Sequence, residues 1–328
     1  MKILVTGGLG LLGSNVVRLL RERRDAREVA VADINLSREQ DLRDKHACLA
    51  ATEAVDRVFH IADHTVGIGY SSKHHGEMLT NSLLISLNLL EAARINGVKD
   101  YLYVSSSCVY ADSDDPVDES LGMEANPEFA NEGYGWAKRI GELQARYYAK
   151  ECGMRVVIAR PANLYGPSYD WSNPNPHVLP SLIAQMLSGK KEIAIWGSGE
   201  QTRTFMFERD AARMIIELME RGESGEAYNL GGQETQIKEA AQILADRCGY
   251  RGKLNFDTSK PQGPRRKAYK TEKISRLVGG IAVTSLPDGL RETVEAAKAV
   301  LQTGTAGISR AAQDPGRARK LSASKHGD

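Results

Sequence analysis

Residues 3 to 13 constrain the fold more than any other stretch of this chain. Ile3-Leu4-Val5-Thr6 is an apolar, β-rich run, Gly7-Gly8-Leu9-Gly10-Leu11-Leu12-Gly13 follows at once, and a helix-period segment takes over up to about Arg24. Strand, GxxGxxG turn and helix in direct succession suit the grip of a dinucleotide. Gly7 permits the tight turn, Gly10 lets the backbone approach a pyrophosphate, and Gly13 allows close helix packing, while the helix N-terminus offers unpaired N–H groups to the anion. Asp33 ends the second strand 20 residues after Gly13. A carboxylate there can hydrogen-bond a ribose 2′-hydroxyl and repel a 2′-phosphate, which favours NAD over NADP. Arg38 lies close enough to receive a 2′-phosphate and keeps NADP open.

Alternation continues beyond the turn. Strand-like runs at Glu28 to Asp33, Arg57 to Ala62, Tyr101 to Ser105 and Arg155 to Arg160 are separated by helical segments, of which Asn81 to Asn96 and Tyr134 to Cys152 are long. The pattern predicts an α/β, Rossmann-like doubly wound parallel sheet with helices on both faces. At 328 residues the chain passes the ~250–300 at which single cores stop growing. A smaller α/β substrate-binding domain is therefore expected, interleaved with the first: 1–164 and a return segment 203–232 bind the dinucleotide, while 165–202 and 233–302 cover the substrate. In the return segment Phe205 to Asp210 reads as a buried strand feeding the amphipathic helix Ala211 to Arg221. From about Thr303 onward large apolar side chains nearly vanish, so residues 303–328 are expected to be a disordered tail.

Lysine plus arginine, 43, nearly balance aspartate plus glutamate, 42. No overall charge is set for nucleic acid or an anionic membrane, and neither is expected as a partner. Apolar stretches break well before a bilayer's length and no signal-peptide layout is visible, so a cytoplasmic location is expected. Cys48, Cys108, Cys152 and Cys248 are far apart with no CxxC pair. Neither a disulfide framework nor a metal site is suggested.

Tyr134 and Lys138 stand four apart on a helical segment and share a face. An ammonium beside a phenol stabilises the phenolate, which predicts a tyrosine that shuttles protons at neutral pH. Ser106 follows the strand Tyr101 to Ser105, on the side where open α/β sheets gather ligands, and can hydrogen-bond the same substrate oxygen as Tyr134. Tyr-x-x-x-Lys alone arises often by chance; the upstream serine and glycine turn give it weight.

From Met1 to about Val300 these features together resemble the extended short-chain dehydrogenase/reductase (NAD-dependent epimerase/dehydratase) family. The resemblance implies that Ser106 and Tyr134 hold a sugar hydroxyl or ketone at C4, that Lys138 binds the nicotinamide ribose, and that hydride passes between C4 and the cofactor. It also implies cofactor contacts at Gly7, Gly10, Leu11, Leu12, Gly13, Asp33, Asp41, Leu42 and Ala62, and a homodimer through the two long helices, here Leu79 to Asn96 and Tyr134 to Cys152.

Two branches of that family are matched more closely. Ser106-Ser107-Cys108-Val109-Tyr110, Asn163-Leu164-Tyr165-Gly166-Pro167, Asn175-Pro176-His177-Val178-Leu179-Pro180 and Trp196-Gly197-Ser198-Gly199 are similar to segments of GDP-L-fucose synthases. Glu91 to Lys99 and Trp196 to Phe205 are instead similar to GDP-mannose 3,5-epimerases. By resemblance Cys108 and His177 are an acid/base pair at C3 and C5, whose protons turn acidic once C4 is a ketone. Asn163, Val178, Trp196, Arg203, Arg266 and Lys267 are the implied substrate contacts, the basic ones at the nucleotide diphosphate. The expected function is thus a nucleotide-sugar, GDP-sugar 3,5-epimerase with or without C4 reduction.

Each residue also has a plainer reading. Cys108 suits a small buried position, and His177 suits a helix cap. A 4,6-dehydratase would carry an acidic residue where Cys108 stands. A UDP-sugar 4-epimerase would leave Cys108 and His177 idle, and a non-catalytic dinucleotide scaffold would need neither Tyr134 nor Lys138.

Overall fold

Apolar runs too short for helices and bounded by turns become parallel strands here, because the amphipathic segments between them cover both faces of one sheet. A computed structural model of the chain describes residues 1–260, 263–280 and 282–302. The expected tail, 303–328, lies outside them. In chain order the first elements are β1 (Lys2–Thr6), α1 (Leu11–Arg21), β2 (Glu28–Ala32), α2 (Lys45–Ala51), β3 (Arg57–His60), α3 (Ile68–Ser71), α4 (His75–Ile95), β4 (Asp100–Val104), α5 (Glu132–Glu151) and β5 (Arg155–Pro161). They are followed by β6 (Asn163–Tyr165), α6 (Val178–Leu187), β7 (Glu192–Trp196), β8 (Thr202–Phe207), α7 (Glu208–Arg221), β9 (Ala227–Leu230), β10 (Gln233–Gln236), α8 (Ile237–Cys248), β11 (Lys253–Asp257), α9 (Glu272–Val278) and α10 (Leu286–Gln302).

The main sheet runs β2-β1-β3-β4-β5-β9, and every neighbouring pair in it is parallel. Ile3, Val5, Leu12, Val16 and Ile215 pack on one face with α1 and α7; Leu4, Val58, Leu89, Tyr101 and Ala145 pack on the other with α4 and α5. Strand order reverses at β1, between β2 and β3. Open α/β sheets bind ligands at the carboxyl ends of strands beside such a switch point.

A three-stranded sheet, β10-β8-β6, and a two-stranded one, β11-β7, stand outside the main sheet. They share a third core with α6, α8 and α10 that includes Ile183, Ile195, Phe205, Leu244 and Leu290. The return to the first layer differs from expectation in one element. β8 pairs with β6 and β10, whereas α7 packs on α1 and β9 joins the edge beside β5. The strand Thr202–Phe207 lies between the two layers, with Met206 in the core of the main sheet and Phe205 and Phe207 in the third core.

A network of buried charges supports the floor of the site. Arg160 on β5 donates to both carboxylate oxygens of Glu142 on α5, at 2.8 and 2.6 Å, and to the Tyr110 hydroxyl at 2.8 Å. Ser105 donates to the same carboxylate at 2.5 Å, and Tyr110 donates to Asn229 at 2.5 Å. The Arg160 and Glu142 side chains are fully enclosed. Residues 105–110 are thereby fixed from below.

Candidate active site

A continuous cleft of about 2850 Å³ opens at the carboxyl ends of β1, β3 and β4 and extends under α6. Pockets for one drug-sized ligand are ~300–1,000 Å³, so this one has room for a dinucleotide and a second nucleotide-sized molecule.

At its first end the glycines do what their positions demand. Gly7 sits at φ +65°, a left-handed conformation that disfavours a side chain, and a Cβ there would lie 2.8 Å from Ala62 Cα. Between β1 and β3 only a bare backbone fits. Gly13 is inside α1, where a Cβ would stand 2.1 Å from the Gly7 carbonyl oxygen. The turn is locked on both sides: Asp33 accepts the Leu9 and Asn35 N–H groups, each at 2.9 Å, and Thr6 Oγ1 accepts those of Ile61 and Ala62 at 3.1 Å. Leu11, Leu12 and Gly13 form the first turn of α1 and line the cleft with Asp33, Asp41, Leu42 and Ala62. The residues fit a dinucleotide: the cradle is one that a Cβ would fill, and free helix N–H groups point to where its pyrophosphate would lie. Arg38 is exposed and off the cleft wall. Arg43, which does line the cleft, is forked onto Asp41 and bonded to Asn81.

Gly13→Val should therefore cost the cradle. Hydrogen bonds to charged groups are worth about 1.5–3 kcal/mol each, so losing two predicts at least ~100-fold weaker NAD(H) or NADP(H) binding by calorimetry. An unchanged Kd would contradict that.

Further along, β4 ends in Ser105, and Ser106 caps the short turn Ser107–Val109 by accepting the Cys108 N–H at 3.1 Å. The Ser106 hydroxyl also lies within hydrogen-bond reach of the Cys108 thiol, on the cleft that both residues line. Tyr134 lies beside this turn because Gly135 has no side chain: a Cβ there would sit 2.6 Å from the Cys108 carbonyl oxygen. One helical turn on, Lys138 donates to the Val104 carbonyl at 2.7 Å, with its Nζ 5.6 Å from the Tyr134 ring centroid.

Two carboxylates that sequence reasoning missed control these groups. Asp63, just past β3, is ion-paired with Lys138, and the two side chains are equally buried, 2% exposed each. Burial pushes the Tyr134 phenol up, Lys138 pulls it down, and Asp63 pushes it up again, leaving it well above its ordinary value. Burial outweighs the pull of Lys138, so Tyr134 holds its proton here, and the Lys138 charge that favours the phenolate is shared with Asp63. Glu128, six residues before Tyr134, is paired with Lys267 and accepts from Asn131 and from the Cys108 thiol. Burial and then Glu128 push that thiol up to about 12. Asp63 stands where a βα turn gathers ligands, a positional signal available in the sequence; Glu128 had none.

His177 is at the N-cap position of α6 but makes no side-chain cap bond, so the plain capping role is not realised. It reaches the cleft because the Gly67 N–H donates to the Asn175 carbonyl at 2.9 Å, tying the loop after β3 to the loop before α6. Its side chain is exposed within the cleft, where partial loss of water to the surrounding walls and then the Lys267 charge lower its pKa. Asn163, Val178, Trp196, Arg203 and Lys267 also line the cleft, Arg203 donating to the Pro264 carbonyl at 2.9 Å. Arg266 does not. It is forked onto Glu234 at 2.8 and 2.9 Å and bonded to the Asp114 carbonyl, outside the cleft, which corrects its assignment to substrate.

Cys108 should react with iodoacetamide far more slowly than exposed Cys152. Because only the thiolate attacks, its rate should climb about tenfold per pH unit from 7 to 10 without a plateau. A rate that levels off above about pH 9, read peptide by peptide by mass spectrometry, would show an ordinary thiol.

A glycine-turn parallel sheet with serine, tyrosine and lysine on the same cleft defines the class of Rossmann-type, nicotinamide-dependent enzymes. Within that class the chain belongs to the NAD dependent epimerase/dehydratase family, whose model matches residues 3–231. It is 32% identical over 302 residues to GDP-L-fucose synthase 1 of Arabidopsis thaliana, covering 90% of this chain and 92% of that one. It is 28% identical over 319 residues to GDP-mannose 3,5-epimerase 1 of Oryza sativa subsp. indica, covering 89% and 80%. A GDP-L-fucose synthetase of Naegleria fowleri bound to NADP superposes with a TM-score of 0.80 at 27% identity over 92% of this chain and 94% of that one. The chain is an NAD(P)-dependent nucleotide-sugar enzyme. Among the described residues no helix is long and apolar enough to cross a membrane.

Proposed function

We propose that this enzyme is a GDP-sugar 3,5-epimerase acting through a 4-keto sugar, with or without reduction at C4. Five side chains on one cleft carry the reading: Ser106, Cys108, Tyr134, Lys138 and His177. The bound nicotinamide supplies or accepts hydride at C4. Ser106 and Tyr134 hold the C4 oxygen, and Tyr134 moves its proton. Lys138 holds the nicotinamide ribose. Epimerisation needs one group to take a proton and another to return one from the opposite face. Near neutral pH the shifts described above leave the His177 imidazole free to accept a proton and the Cys108 thiol loaded with one. A UDP-sugar 4-epimerase would give neither group work.

Arg203 and Lys267 are proposed as substrate contacts, with Asn163, Val178 and Trp196 lining the sugar-nucleotide channel. NAD is favoured by Asp33, whereas the NADP-bound relative supports the phosphorylated form. The division into a dinucleotide domain, 1–164 with the return segment 203–232, and a substrate domain, 165–202 and 233–302, is kept as a proposal. So is a homodimer through α4 and α5, supported by the stripe Trp136, Ile140, Leu143 and Tyr147, spaced for one helix face and exposed by 36–56%.

Incubation with GDP-mannose and, separately, with GDP-4-keto-6-deoxymannose, each with NADH or NADPH, tests the reading by NMR of products and by cofactor absorbance. Conversion of the first without net cofactor use marks a self-contained epimerase; cofactor-consuming conversion of the second marks an epimerase/reductase. No reaction with either overturns the GDP-sugar assignment.

A further inference from the structure

We propose that Asp63 is a positioning residue which, as the counter-ion of Lys138, sets the relative affinity of the cleft for oxidised and reduced nicotinamide. This rests on the placement of Lys138 at the nicotinamide ribose adopted above.

The Lys138 ammonium has three protons. One goes to the Val104 carbonyl at 2.7 Å and one to Asp63, leaving the third for a ligand in the cleft that both residues line. Asp63 is held in turn by the His64 N–H, at 2.7 Å from its other oxygen. Four titratable groups from the surrounding elements face the pair or its tyrosine: His60 from β3, Tyr103 from β4, Tyr134 from α5 and Cys108 from the turn after β4. Burial lowers His60 to about 3 and raises the other three, so all are neutral near pH 7. Glu142, beyond Tyr103, is bound up with Arg160.

The local charge is therefore zero with Asp63 and +1 without it. An oxidised nicotinamide ring carries a positive charge and the reduced ring none. An uncompensated ammonium near the ring would disfavour the oxidised form selectively, and at an effective dielectric of about 20 two unit charges even ~10 Å apart change that preference by about tenfold or more. The carboxylate lets one lysine orient either redox state.

Dissociation constants of both redox forms, for whichever of NAD(H) or NADP(H) binds more tightly, test this by calorimetry on the wild type and Asp63→Asn. The ratio of oxidised to reduced Kd should rise about tenfold in Asp63→Asn and return toward wild type in Asp63→Glu. A merely structural Asp63 would weaken both forms together. Should Asp63→Asn fail to fold, Lys138→Met takes its place: Asp63 is then unopposed and the ratio should fall. An unchanged ratio in whichever variant folds overturns the proposal. A wild type that binds neither form overturns it too, by removing the cofactor from Lys138, and is told apart because no ratio then exists.

Discussion

Replacing Tyr134 with phenylalanine should lower hydride transfer at C4 by about 10²–10⁴-fold, the usual contribution of a positioned proton-transfer group, while leaving cofactor affinity within about twofold. The ring remains against the turn at Cys108, and the glycine cradle near Gly7 is untouched, so the loss falls on the proton and not on the grip. Single-turnover cofactor absorbance gives the rate and calorimetry gives the affinity. A non-catalytic scaffold would keep its function in this variant. Because burial and Asp63 hold the phenol well above its ordinary value, the wild-type tyrosine is stocked as a proton donor. Sugar oxidation, which needs the deprotonated tyrosine to take the proton of the sugar hydroxyl, should therefore rise with pH across the whole accessible alkaline range.

The second large effect is on stability. Glu142→Ala should cost about 3–5 kcal/mol, because it leaves the enclosed Arg160 guanidinium without a counter-charge. Thermal unfolding should fall by roughly 10 °C, at the few degrees per kcal/mol usual for chains of this size. Ser105 loses its acceptor in the same step, so turnover should fall in the fraction that folds, through the Ser106–Cys108 turn. A loss below about 1 kcal/mol would mean that water reaches Arg160 once the carboxylate is gone.

The parts of this enzyme legible in the sequence are those written in local patterns. Alternating strands and helices, the turn Gly7 to Gly13 and the helical pairing of Tyr134 with Lys138 all depend on neighbours within a few residues. β8 shows the limit: a buried apolar strand reads alike in either sheet, and its partners, β6 and β10, lie up to 42 residues away in sequence. Arg266 and Lys267 look equivalent as adjacent basic residues, yet an extended segment sends neighbours to opposite sides. One meets Glu234 outside and the other meets Glu128 beside Cys108. Glu128 carries no spacing signal, because what makes it matter is burial beside a thiol and an ammonium brought in from elsewhere in the chain. The spacing of Tyr134 and Lys138 likewise says nothing of the burial around the phenol or of Asp63, which arrives from another strand.

Solvent exchange at C3 and C5 tests the central claim most directly. In deuterium oxide, with whichever GDP-sugar is turned over, the wild type should place deuterium at one or both carbons, as read by NMR. Cys108→Ala and His177→Ala should each lose that exchange by about 10²-fold or more while Tyr134 and Lys138 still support hydride transfer at C4. Turnover by the wild type with no deuterium at either carbon would contradict the account and leave an enzyme that works at C4 alone.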